Sequence, residues 1–152
     1  MTPYRSLFPL ALVLATSLGA GCSESMSTPT SASRDTASLN VTVGELAGTW
    51  NLLSIEAAGE AALTTPAGTT YTLTFADGHL STRADCNVCN GTFSLSGRTL
   101  TAGPALACTR AACRTMDFEN AYTRMLAGEG TATLAGERLR LSSERGVLQF
   151  TR

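Results

Sequence analysis

The sequence predicts an α+β fold: a strongly curved, barrel-like antiparallel β-sheet of about seven or eight short strands, with one α-helix near residues 115–127. Three observations predict it. Between Trp50 and Leu100, and again between Thr131 and Phe150, apolar residues recur at every second position in short runs divided by turn residues. Between those regions Phe118, Ala121, Tyr122, Met125 and Leu126 stand at i, i+3, i+4, i+7 and i+8, one face of a helix. Aromatics make up only 6% of the chain, so the core must rest on Leu, Val, Ala and Met. Four of the five cysteines, clustered from Cys86 to Cys113, are available to cross-link it.

Taken in order, residues 1–21 read as an export signal. Arg5 gives a short positive region, and Ser6 to Ala20 is apolar but shorter than the roughly 20 residues a membrane-spanning helix needs. Leu18-Gly19-Ala20-Gly21-Cys22 resembles a bacterial lipobox, with its aliphatic residue one place early, in which Cys22 would be acylated. Ser23 resembles the signal for outer-membrane sorting. Residues 22–43 read as a flexible tether, since 10 of the 21 residues from Ser23 to Val43 are Ser or Thr. Such a chain reaches roughly 25 Å. The expected address is therefore the periplasmic side of the outer membrane, with the lipid as the link to it. The folded domain is expected over residues 44–152.

Within the domain, Trp50, Leu52, Leu53 and Ile55 form a first strand whose change of parity predicts a bulge. Ala58 to Gly68 has no period and is expected as a loop. Tyr71, Leu73 and Phe75 alternate, and Asp77-Gly78 is a strong hairpin signal. The returning strand is expected to place Leu80, Thr82, Ala84 and Cys86 on one face, with a corner at Asn87-Val88. Phe93 and Leu95 alternate next, Ser96-Gly97 turns, Arg98 to Thr101 returns and Pro104 ends the hairpin. Thr115 is the expected N-cap of the helix, Asp117 and Glu119 suit its first turn, and Gly128 suits its stop. Strands then resume at Thr131–Leu134, around Leu139 and Leu141, and at Val147–Thr151.

The order of these motifs resembles the META-domain family, to which heat-shock lipoproteins of the HslJ type belong. The resemblance is carried by Gly48-Thr49-Trp50-Asn51-Leu52, Tyr71 to Phe75, Cys86-Asn87, Gly91 to Leu95, Thr109-Arg110-Ala111-Ala112-Cys113, the Phe118–Met125 helix, and the closing Leu139-Arg140-Leu141 and Leu148-Gln149-Phe150. It covers about Leu46 to Arg152. It implies a bacterial envelope protein associated with stress, without an enzymatic role. It also implies that Cys86 pairs with Cys113, since family members carry cysteines at these two elements; Cys89 and Cys108 are additional here.

Read from spacing alone, the cysteines leave more than one pairing. Residues three apart in a strand are separated by about 10 Å, whereas bridged Cα atoms lie within about 7 Å, so Cys86–Cys89 is disfavoured in extended chain. The nested and crossed long-range pairings both remain; the resemblance selects Cys86–Cys113 with Cys89–Cys108. A zinc site on the four cysteines has a loose second spacing, and an exported domain meets an oxidising compartment that favours disulfides.

The residues with polar chemistry nearest the cysteines are Asp85, Asn87, Thr109 and Arg110. Arg110 could bind an anion through its planar fork. The reading adopted is structural: it satisfies loop carbonyls and pairs with Asp85 or Glu119. His79 reads as a solvated turn residue. No catalytic constellation, cofactor motif or metal set is recognisable, and a net charge of −1 provides no basic field for nucleic acid. The function expected is a non-enzymatic, lipid-anchored envelope protein of the META type that binds an envelope protein or a small ligand. The alternative is a periplasmic thiol–disulfide redox protein using Cys86 and Cys89.

Overall fold

The computed structural model describes residues 40–152; the signal-like segment, Cys22 and most of the expected tether lie outside them. A one-turn helix α1 (Val43–Leu46) precedes β1 (Gly48–Ala57), β2 (Leu63–Thr64), β3 (Tyr71–Ala76), β4 (His79–Ala84), β5 (Asn87–Ser96), β6 (Thr99–Ala102) and β7 (Ala107–Cys108). The main helix α2 (Met116–Leu126) follows, then β8 (Gly128–Ala135), β9 (Arg138–Ser143) and β10 (Gly146–Thr151). Each strand pairs antiparallel with its neighbours in the order β1-β3-β4-β5-β6-β8-β9-β10, and β10 returns to β1, closing an eight-stranded barrel. The two-residue strands β2 and β7 are side pairings to β1 and β5.

Closure follows from the alternation. Burial in β3 and β4 swaps at every residue, and Tyr71, Leu73, Phe75, Leu80, Thr82 and Ala84 all face inward. The β3–β4 turn has Asp77 at φ 48° and Gly78 at φ 75°, the pair of positive values that matches strand twist in a two-residue hairpin. The bulge in β1 lies where the parity changed, between Leu52 and Ser54 in the pairing with β10. It turns Leu53 outward and returns Ile55 to the core. The aperiodic stretch 58–68 contains one element that its pattern did not announce. Leu63 and Thr64 pair with Ile55 and Ser54, but both remain exposed, so burial imposes no alternation there.

Both ends of the barrel are plugged. At one end Val41 and Leu46 are buried, and Trp50 Nε1 donates to Leu46 O at 2.8 Å. The Arg152 guanidinium stacks 4.1 Å from the Trp50 ring and donates to Glu45 O and Ala47 O. Thr42 and Glu45 cap α1 reciprocally, and Val41 N–H donates to Gly97 O at 3.1 Å. Residues 40–43, given to the tether on composition, are thus packed against the domain. Composition missed this because one buried Val and one capping box suffice to order four residues.

At the opposite end α2 packs across β1, β4 and β10. Tyr122 is fully buried, with its ring edge-on to Tyr71 at 5.6 Å and Phe150 at 6.4 Å. Thr82 Oγ1 donates to Thr72 O at 2.6 Å, so the 2.6 Å contact between the two hydroxyls is a bond from Tyr122 to Thr82. Burial raises the Tyr122 phenol far above its usual value. Arg145, in the β9–β10 turn, donates to Ala127 O and so closes the C-terminal end of α2.

Trp50, Leu73, Phe75, Leu80, Leu139, Leu148 and Phe150 fill the space between these plugs, each no more than 1% exposed. Two open concavities lie on the outer wall, one across β6, β8 and β9 and one across β3, β4 and β5. His79, at the start of β4, is exposed as expected.

Candidate functional site

The cysteine-bearing stretch assembles at the rim beneath α2. Strand β4 stops at Ala84 because Asp85 takes φ 56°, and its N–H donates to Thr70 O at 2.8 Å. Asp tolerates this left-handed conformation better than most residues. The corner thus falls at Asp85-Cys86, two residues earlier than the alternation suggested. Cys86 is exposed in the turn instead of facing inward, and Asn87 takes the inward position.

Asn87 is fully buried and holds three segments together. Its Oδ1 accepts from Thr109 Oγ1 at 2.9 Å and from Ala111 N–H at 2.8 Å. Its Nδ2 donates to Ala111 O at 3.0 Å and to the Glu119 carboxylate at 2.9–3.0 Å. One amide therefore pairs with both backbone groups of Ala111, as a strand residue would, and also fixes the first turns of α2. Thr109 N–H donates to Val88 O, and Val88 N–H donates to Thr109 Oγ1, each at 3.0 Å. A loop that leaves the sheet has its polar groups satisfied in this way.

Two disulfides enclose this clamp. Cys86 is bonded to Cys113 and Cys89 to Cys108, with Cα separations of 6.1 and 4.0 Å. The arrangement is nested. Cys89 and Cys108 face each other directly in the β5–β7 register. With all four sulfurs in disulfides, no thiolate is left to hold zinc, and Cys86 and Cys89 do not form one redox pair.

The polar cluster differs from expectation in its members. Asp85 Oδ2 accepts from Thr115 Oγ1 at 2.6 Å, so Thr115 stands at the N-cap position of α2 but spends its hydroxyl elsewhere. Glu119 is 5% exposed and bonded to Asn87. The buried Tyr71 hydroxyl faces Thr115 without a hydrogen bond of good geometry. Burial raises its pKa above the usual phenol value, Thr115 opposes the rise, and the negative charges of Asp85 and Glu119 add to it. Glu119 was the residue to find: it lies three residues before Tyr122 and seven before Leu126, a polar side chain on the apolar face.

Arg110 is not part of the cluster. It is exposed, and among the described residues it has no hydrogen-bond or ion-pair partner. The expected pairing with Asp85 or Glu119 does not form, because Thr115 and Asn87 occupy those carboxylates. Arg110→Ala is accordingly expected to change stability by no more than about 0.5 kcal/mol. Thermal melting followed by circular dichroism checks this; a clear drop would restore a structural role.

A family model for the META domain matches residues 42–152. Among solved structures, an NMR structure of a protein from Burkholderia xenovorans is 26% identical, with a TM-score of 0.60, over 72% of this chain and 85% of that one. A second protein solved by NMR is 23% identical with a TM-score of 0.57, over 73% of this chain and 94% of that one. A search of curated proteins finds no match to the sequence.

Proposed function

Because this chain belongs to the META-domain family, we propose that it is a non-enzymatic envelope protein, held at the outer membrane by lipid on Cys22, that supports the envelope under stress by binding a partner at the rim of its barrel. The observation that carries this reading is the contrast between the two faces of that rim. Beneath, Asn87, Glu119 and two disulfides lock residues 108–113 to the barrel. Above, Arg110 is exposed and has no structural task among the described residues. A guanidinium on a rigid loop is arranged to meet a carboxylate or phosphate of a partner at low entropic cost. The filled barrel directs any such partner to the outside.

Two measurements test it. The intact mass of membrane-extracted protein should show a diacyl- or triacyl-modified N-terminal Cys22, and Cys22→Ser should release the domain or block its processing. A mature chain that begins elsewhere and is free in the periplasm would sink the anchor. In cells lacking the wild-type protein, Arg110→Ala should abolish rescue from envelope stress while the purified domain melts normally. Full rescue by Arg110→Ala would remove Arg110 from the binding surface.

A further inference from the structure

The two disulfides differ in what surrounds their sulfurs. Cys89 is fully buried in β5, and among the described residues no hydrogen-bond donor reaches its Sγ. Cys86 is exposed in the turn before β5, and its partner Cys113 is half-buried. Asn87 Nδ2 lies 3.4 Å and Glu119 Oε2 3.5 Å from Cys113 Sγ. Thiol–disulfide exchange requires an accessible sulfur to attack and a second sulfur able to leave with an electron pair. We infer that Cys86–Cys113 is an exchangeable disulfide and that Cys86 is a site at which an outside thiol becomes covalently attached while the domain stays folded.

A thiolate attacks Cys86 Sγ, a new S–S bond forms to it, and the Cys86–Cys113 bond breaks. The electron pair remains on Cys113 Sγ, which is half-buried and reached by water. The proton shed by the attacking thiol goes to solvent, and solvent returns one to the Cys113 sulfur. The incoming sulfur is oxidised and Cys113 is reduced.

Cys108 is also exposed, so access alone does not separate the two bridges. The leaving sulfur does. Attack at Cys108 would expel Cys89 as a thiolate into buried surroundings with no donor, where a thiol holds its proton. Attack at Cys86 expels Cys113, which is only half-buried, so water can reach the sulfur that leaves. The opened state also keeps its scaffold: Cys89–Cys108 still closes the loop, and Asn87 still holds both backbone groups of Ala111. This assignment is independent of the lipid anchor and of the part played by Arg110.

The test uses the folded, oxidised protein and reduced glutathione at mildly alkaline pH. Samples are quenched with an alkylating reagent and mapped as peptides by mass, with near-ultraviolet circular dichroism followed in parallel. Expected are glutathione on Cys86, alkylation on Cys113, an intact Cys89–Cys108 bridge and unchanged dichroism. Opening of Cys86–Cys113 should be at least about tenfold faster than opening of the other bridge. A double variant, Cys86→Ser with Cys113→Ser, should take up no glutathione over the same period. First attachment at Cys108, opening of both bridges together, or opening only as the dichroism is lost would overturn the assignment.

Discussion

Asn87→Ala is expected to lower the stability of the domain by about 3–5 kcal/mol. The substitution strands the buried Glu119 carboxylate and removes the partner of three part-buried groups, the N–H and C=O of Ala111 and the hydroxyl proton of Thr109, which water can partly satisfy. Each buried group left without a partner costs about 1–3 kcal/mol, with charged groups at the upper end. The terms share one side chain and do not add fully. A domain of this size has about 5–15 kcal/mol in total, so chemical denaturation should show a large shift of its midpoint. Glu119→Gln provides the control. It keeps the shape and an acceptor for Asn87 but removes the buried charge, so it should cost much less than Asn87→Ala. Combined with Asn87→Ala, it should recover part of the loss. A loss below about 1 kcal/mol for Asn87→Ala would mean that water replaces the amide and that the clamp is not what orders the rim.

Gly146→Ala is expected to cost a similar amount by a different mechanism. Gly146 opens β10 opposite Ala57 at φ 133°, a conformation that side-chain-bearing residues rarely adopt. A Cβ there would lie 2.0 Å from Glu56 O, 2.9 Å from Ala57 Cα and 2.9 Å from Met125 Cε. Two of these neighbours are backbone of the strand that closes the barrel, so relief requires β1 and β10 to part. Backbone strain of about 1–3 kcal/mol and overpacking of about 1–3 kcal/mol both apply. The melting temperature should fall by more than about 10 °C, at roughly 4 °C per kcal/mol for a domain of this length. Gly136→Ala serves as the comparison, because its φ of 58° is positive but nothing lies within 4 Å of the added carbon. If both variants lost the same amount, the close approach at Gly146 would carry no weight.

The barrel was legible because its strands have one wet face. Wherever water meets one side of a strand and the core the other, as in β3 and β4, the sequence must alternate, and the bulge in β1 showed as a break in that alternation. The helix was legible for the same reason at its own period. What could not be read were features set by contacts distant in sequence. β2 has no buried face to impose a pattern. The left-handed turn at Asp85 moved Cys86 out and Asn87 in, although nothing in Asp85-Cys86-Asn87 forbids continuing the strand. Thr115 looked like a capping residue and instead serves Asp85, 30 positions earlier in the chain. Asn87 and Thr109 were singled out for lying beside cysteines, but their task depends on Glu119, which the apolar face of α2 concealed in plain view. The nested pairing came from likeness to a family; spacing alone left the crossed alternative open.

The placement of the two plugs has a mechanical consequence. The described chain begins at the α1 end, where Val41 N–H meets Gly97 O, and the cross-linked rim lies at the α2 end. If the chain is held from its N-terminal side while the rim is engaged, tension runs along the strands. Ladder hydrogen bonds lie perpendicular to antiparallel strands, so such a load shears many of them together and does not unzip them one at a time. In its path lie the bond from Val41 to Gly97, that from Trp50 to Leu46, and Arg152 on the carbonyls of α1 and its end. The α2 end carries the covalent bonds, and the α1 end is held by hydrogen bonds, a stacked guanidinium and the packing of Val41 and Leu46. Under pull, the domain should lose its N-terminal latch before its rim changes shape.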